Sequence, residues 1–152
     1  MRCRGCWNTA VDGSALARAL SQPTPADDIS YSRQVFAAAR ASVGSDALGH
    51  AELKAVQGVA RSVGTGAAGL ANALDPSTIT LGGLGRDLLD IASDHLYPAF
   101  LAGLMRFRRT SPPPLVAARF GDDGPLTGAI EEAFSAILTE EGLRAWSWGR
   151  QE

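Results

Sequence analysis

Lysine is almost absent from this 152-residue chain: Lys54 stands alone beside thirteen arginines. Histidine and cysteine are scarce too, with His50, His95, Cys3 and Cys6. A formal charge of −2 and a pI near 5.7 exclude a protein whose main business is coating nucleic acid or anionic lipid. Long hydrophobic runs are missing. The longest, Leu96 to Met105, covers ten residues and contains Pro98, whereas a spanning helix needs about 20. No apolar stretch follows the basic residues of Met1–Trp7, so a signal peptide is not expected. Cys3 and Cys6 are too close in sequence for a useful structural staple, and a reducing cytoplasm is the expected compartment. Two histidines cannot support a Ser-His-Asp or Cys-His argument, and no phosphate-loop pattern of the G-x-x-x-x-G-K-[ST] type occurs.

What is present is ordinary for a globular domain: 45% hydrophobic residues, 20% charged residues and 26 alanines. The length suits one domain with a real core. Asp12-Gly-Ser14 offers a helix start and Ala15 to Leu20 reads as a short helix. Pro23 to Asp28 reads as a loop, and Tyr31 to Val43 as a second helix with Val35, Phe36 and Ala39 on one side. The clearest helix places Leu53, Val56, Ala60, Val63, Ala67, Leu70 and Leu74 on one stripe. Asp75-Pro76 stops it. Ser77 to Leu81 reads as a strand, followed by the turn Gly82-Gly83-Leu-Gly85. A helix from Arg86 to Phe107 follows, with Leu88, Ile91, Ala92 and Leu96 inward, a kink expected at Pro98 and a basic end at Arg106, Arg108 and Arg109. Leu115 to Phe120 is a second strand candidate. Pro125 suits the first position of a last helix, with Leu126, Ile130, Ala133, Phe134 and Ile137 on its apolar face. Residues 139–152 are expected as a loosely packed tail. Two strands cannot build a full sheet alone, so the class is α/β with very little strand.

Three constellations carry possible chemistry. Cys3 and Cys6 have the spacing of half a zinc site, but four ligands are needed and the histidines are distant; a redox pair lacks the strand that should precede it. Gly64-Thr-Gly66-Ala-Ala-Gly69 fits G-x-G-x-x-G, yet it lies inside a helix with no preceding strand, so the dinucleotide reading fails. Each interior glycine costs about 1 kcal/mol relative to alanine. Close helix packing is the plain explanation, a ligand near that face the sharper one. Asp87, Asp90 and Asp94 share a helix at metal-compatible spacing, with a solvated acidic face as the plain alternative.

The order of motifs is more specific than any one of them. Cys3-Arg-Gly-Cys6-Trp-Asn, Val59-Ala-Arg-Ser-Val-Gly-Thr-Gly66, Leu70-Ala-Asn-Ala-Leu-Asp-Pro76, Ile79-Thr-Leu-Gly-Gly83 and Ala117-Ala-Arg-Phe-Gly-Asp-Asp-Gly-Pro-Leu-Thr-Gly-Ala129 follow one another. This resembles the C-terminal part of the ROK family (repressor, open reading frame, kinase), which contains sugar kinases and sugar-responsive transcriptional regulators. The resemblance implies an α/β chain forming the incomplete C-terminal part of an actin-like (ribonuclease H-like, hexokinase-type) ATPase domain over residues 1–138, with 139–152 as tail. Cys3 and Cys6 then resemble the last cysteines of the family's zinc loop, here with two residues fewer between them. Asn8 falls where the family usually has a sugar-holding Glu. Gly82 and Gly83 match a turn near the nucleotide adenosine in the kinases, and Gly64 to Gly66 match the helix beside it.

The family's phosphate-binding turn, catalytic aspartate and DNA-binding helix-turn-helix belong to segments not found in this sequence. No catalytic residue is therefore assigned, and activity from the chain alone is not expected. The expected parent is a sugar-responsive regulator, binding DNA only through a segment this chain lacks. It would take a small sugar or sugar phosphate, assemble as a homo-oligomer and avoid membranes. The alternatives are part of an ATP-dependent sugar kinase, with ATP and Mg²⁺ as cofactors, or a truncated product with no function of its own. Zinc is expected only in the intact parent.

Overall fold

The computed structural model of the protein describes residues 6–43 and 50–148. A 3-10 turn at Trp7–Ala10 leads into α1 (Gly13–Ala19), α2 (Asp28–Ser42) and α3 (His50–Leu74). Then follow β1 (Ile79–Leu81), α4 (Leu84–Gly103), α5 (Arg106–Arg109) and β2 (Leu115–Ala117). A second 3-10 turn at Gly121–Asp123, α6 (Gly124–Ile137) and α7 (Glu140–Trp148) complete the order.

Aspartates start the first two helices. The Asp12 carboxylate accepts the Ala15 N–H at 2.8 Å. Asp27 accepts the N–H groups of Ile29 and Ser30 at 3.0 and 3.2 Å, and the Ser30 hydroxyl donates to it at 2.6 Å. These bonds satisfy N–H groups that have no partner inside the helix. The Ser30 hydroxyl foremost, then the two backbone N–H groups, hold the Asp27 carboxyl below its ordinary value.

The core is built on α3 and α4. Ala55, Val56, Val59, Ala60, Ala67, Ala68 and Ala71 of α3 are buried, with Leu88, Ala92, Leu96 and Phe100 of α4 and Leu16, Val35, Phe36 and Ala39 of α1 and α2. Gly64 lies against the Leu96 carbonyl and the Phe100 amide, and a Cβ there would collide with both. Farther along, Gly103 faces Ala68, and Asn72 reaches the next turn. Its Nδ2 donates to the Gly103 carbonyl at 3.0 Å and its Oδ1 accepts the Met105 N–H at 2.9 Å. The contacts climb together along both chains, so α3 and α4 lie side by side in the same sense. Close packing thus accounts for Gly64.

The strands pair in parallel, with Ile79 opposite Leu115, Thr80 opposite Val116 and Leu81 opposite Ala117. The Tyr97 hydroxyl donates to the Leu115 carbonyl at 2.9 Å and pins α4 to β2.

Several sequence expectations are corrected. The strands are shorter than Ser77–Leu81 and Leu115–Phe120, because only three residues on each find a ladder partner. The helix expected from Arg86 to Phe107 starts earlier and ends at Gly103, where Leu104 and Met105 are extended before α5. Its non-helical residue is Ala92, not the neighbourhood of Pro98, which sits within the helix. The α3 stripe fails at its far end: Leu70 is 49% and Leu74 72% exposed. Alanines 67, 68 and 71 are buried there instead, because close approach to α4 selects small residues. The tail is helical over α7, with Leu143 and Trp146 exposed. The apolar face of α6 forms as a helix but lies open, with Leu126, Phe134 and Ile137 more than half exposed. Among the described residues no helix is long and apolar enough to cross a membrane.

Candidate functional site

Asn8 sits in the Trp7–Ala10 turn, which is tied on two sides. The Trp7 indole lies over Gly66 of α3 and its Nε1 donates to the Ser62 carbonyl at 2.8 Å. Only a residue without Cβ lets the ring rest there, which gives Gly66 a reason separate from that of Gly64. On the other side Arg18 of α1 donates from Nη2 to the Thr9 carbonyl. Within the turn the Cys6 carbonyl accepts from the Thr9 hydroxyl at 2.7 Å, and the Asn8 carbonyl accepts from Val11 and Asp12 N–H at 3.2 and 3.1 Å.

Asn8 lines a polar cavity of about 250 Å³ with Thr9, Asp12, Ser14, Arg18 and Asp28. The Ser14 hydroxyl donates to Asp28 Oδ1 at 3.3 Å across the α1–α2 contact. The turn and the starts of two helices converge here, so acceptors and donors face one small space. A polyhydroxylated ligand suits such a lining, since each hydroxyl can both donate and accept. Sequence alone did not bring Asp12, Arg18 and Asp28 to Asn8. Asp12 read only as a helix start and Asp28 only as loop.

The glycine turn after β1 forms a second cavity of about 340 Å³, lined by Ile29, Arg33, Gly83, Leu84, Gly121 and Pro125. Gly83 and Gly121 each have φ of +53°, a conformation that side chains disfavour. The cavity lies beyond the carboxyl ends of both parallel strands, the edge where open α/β sheets receive ligands. Gly82 is not part of its lining; a Cβ at Gly82 would instead stand 3.7 Å from the Ala118 methyl.

The other candidates are absorbed by structure. Cys6 is exposed, and Cys3 lies outside the described residues. Among the described residues no three His, Cys, Asp or Glu side chains gather as a metal site. Of the two cysteines of the zinc-loop resemblance, Cys6 alone is among the described residues. Asp87 and Asp90 face Arg40 of α2 at 2.6 and 3.6 Å, and Asp94 lies 2.8 Å from the His95 ring. The basic end is also structural. Arg109 donates to the carbonyls of Leu104 and Ala102 at 2.8 and 2.7 Å, closing the end of α4, and Arg108 pairs with Asp75.

Helices pack on a pair of parallel strands, with ligand-sized cavities at one sheet end and at one helix junction. The crystal structure of the ROK hexokinase from Thermus thermophilus is similar, with a TM-score of 0.53 and 29% sequence identity over 85% of this chain. Residues 3–134 match the ROK family model, and the chain belongs to the ROK family. It covers 42% of the Thermus hexokinase chain, less than half its length. No curated protein matches it.

Proposed function

We propose that the chain is the C-terminal, effector-binding part of a ROK-family sugar-responsive transcriptional regulator. Asn8 at the polar cavity carries the reading. The resemblance puts a sugar-contacting glutamate at this position, and an amide keeps the hydrogen bonds to a hydroxyl while giving up the negative charge. The operator-binding segment belongs to residues outside this chain. The parent works in the cytoplasm as a homo-oligomer, and sugar closing the cleft releases DNA. The test is binding of hexoses to the purified chain, followed by Asn8→Ala. Loss of at least about tenfold in affinity supports the reading, the equivalent of one charged or well-placed hydrogen bond. Unchanged affinity in the variant removes Asn8 from the site.

A second reading, part of an ATP-dependent sugar kinase, is favoured by the cavity at Gly83. Its size and apolar walls suit a nucleoside ring. There Gly83 would let the ring approach the backbone, with ATP and Mg²⁺ as cofactors of the longer protein. Phosphorylation of a hexose by that longer protein at ordinary turnover decides for the kinase. Turnover indistinguishable from background, with hexose-dependent release of DNA, decides for the regulator.

A further inference from the structure

The turn that carries Trp7 opens on a further cavity. This space of about 390 Å³ lies between the turn and α3, lined by Trp7, Ala10, Arg61, Ser62, Thr65 and Gly66. It shares no lining residue with the Asn8 cavity. The indole is held in one orientation. Gly66 seats the ring, and Nε1 donates to the Ser62 carbonyl at 2.8 Å. Trp7 is still 44% exposed, so a ring already fixed in place presents apolar surface to the cavity. Little side-chain freedom is left to lose when a flat ligand stacks on it.

The polar groups around the ring are one-sided. The Thr65 hydroxyl donates to the Arg61 carbonyl at 3.0 Å, and the Ser62 hydroxyl donates to the Gly58 carbonyl at 3.2 Å. These protons and the indole N–H are spent inside the protein, so the two hydroxyl oxygens keep only acceptor capacity. Arg61 is different. It is exposed, and among the described residues its side chain makes no hydrogen bond and no ion pair. None of the described residues lining the cavity is acidic. An uncompensated guanidinium therefore stands beside a fixed aromatic ring, and a carboxylate matches its fork with two parallel bonds. Thr65 follows Arg61 by four residues, about 6 Å of helix rise. That is close to the reach from a carboxylate to a para hydroxyl on one benzene ring.

We infer that the Trp7–Arg61 cavity is a binding site for a planar aromatic carboxylate. The ligand ring stacks on the indole, its carboxylate takes the Arg61 guanidinium, and a hydroxyl on its far edge donates to Thr65 or Ser62. A neutral hexose lacks both the flat face and the charge, so this site and the sugar reading of Asn8 stand or fall separately.

The experiment is an NMR titration of the full chain in low-salt buffer. It follows the indole N–H resonance that Trp7→Phe identifies by its loss. The probes are para-hydroxybenzoate, benzoate, glucose and para-hydroxybenzyl alcohol, which keeps the ring and hydroxyl without the charge. Para-hydroxybenzoate is expected to shift that resonance and to bind about tenfold tighter than the alcohol, the scale of one hydrogen-bonded charge. Arg61→Gln should bring it to the level of the alcohol, and circular dichroism checks that the variant folds. The comparison of acid with alcohol needs no variant. Benzoate should bind more weakly than para-hydroxybenzoate. A Trp7 resonance that para-hydroxybenzoate leaves unmoved overturns the site. An alcohol that binds as tightly as the acid, or a gap that Arg61→Gln leaves intact, overturns the carboxylate assignment. Benzoate as tight as para-hydroxybenzoate removes Thr65 and Ser62 from the site. A shift produced by glucose alone makes this a sugar subsite and overturns the inference.

Discussion

The indole of Trp7 rests on the Cα of Gly66, 59 residues later in the chain, and its Nε1 donates to the Ser62 carbonyl at 2.8 Å. That contact seats the turn carrying Asn8 on the longest helix. Gly66→Ala places a methyl inside the ring. The expected result is a lower melting temperature, with overpacking costing about 1–3 kcal/mol, and a red-shifted Trp7 fluorescence. Gly69→Ala is the matched control. A Cβ at Gly69 meets nothing within 4 Å, so helix propensity should raise stability by up to about 1 kcal/mol. Equal effects at both positions would reject the account of the glycine run.

Asn72→Ala removes both bonds that tie α3 to the α4–α5 junction, those to the Gly103 carbonyl and the Met105 N–H. A loss of about 1–3 kcal/mol is expected in urea unfolding. Amide exchange at Met105 should accelerate by more than at Leu96, which lies in the core of α4. A uniform change across α4 would mean the side chain does not act locally.

Phe100 is 1% exposed and lies where α4 crosses Gly64. Phe100→Ala is expected to cost about 3–5 kcal/mol. Because the chain has little sheet to fall back on, loss of a cooperative thermal transition is the expected readout. A sharp transition shifted by only a degree or two would place Phe100 outside the core.

Asp27 gives a pH prediction. Its folded carboxyl is held below the ordinary value of 3.8, chiefly by the Ser30 hydroxyl. The unfolded state therefore binds the proton more readily. The contribution to stability is present above pH 3.8 and fades as pH falls through the lower folded value. Wild type and Asp27→Ala should differ in melting temperature at pH 6 and converge as the pH falls well below 3.8. A difference that persists unchanged at low pH would assign the cap to something other than the carboxylate.

Replacing Ile130 or Phe134 on the open face of α6 by Ser should change folding stability by no more than about 0.5 kcal/mol, as for other surface sites. Both side chains are about half exposed. The measurement is chemical unfolding at two protein concentrations. A loss of 2 kcal/mol or more would mean that face is covered in solution.

Local rules fixed much of this protein in advance. Asp12 at a helix start, Asp75-Pro76 at a helix end and Pro125 at a helix beginning act on neighbours a few residues away, so they read directly from the chain; Asp27, which caps α2, read only as loop. The order of motifs from Cys3 to Ala129 points to the ROK family, and residues 3–134 match its model. Tertiary packing decided the rest, since through-space distance has no signature in spacing. Gly64, Gly66 and Gly69 look alike in sequence. One meets α4, one meets Trp7 and one meets nothing, because each faces a different direction on the same helix. The stripe of α3 shifted from large residues to alanines where α4 comes close. Asp12, Arg18 and Asp28 joined Asn8 at one cavity only because α1, α2 and the Trp7 turn meet there. An amphipathic pattern specifies which face of α6 is apolar; what lies against that face depends on the packing around it, and here it stands open.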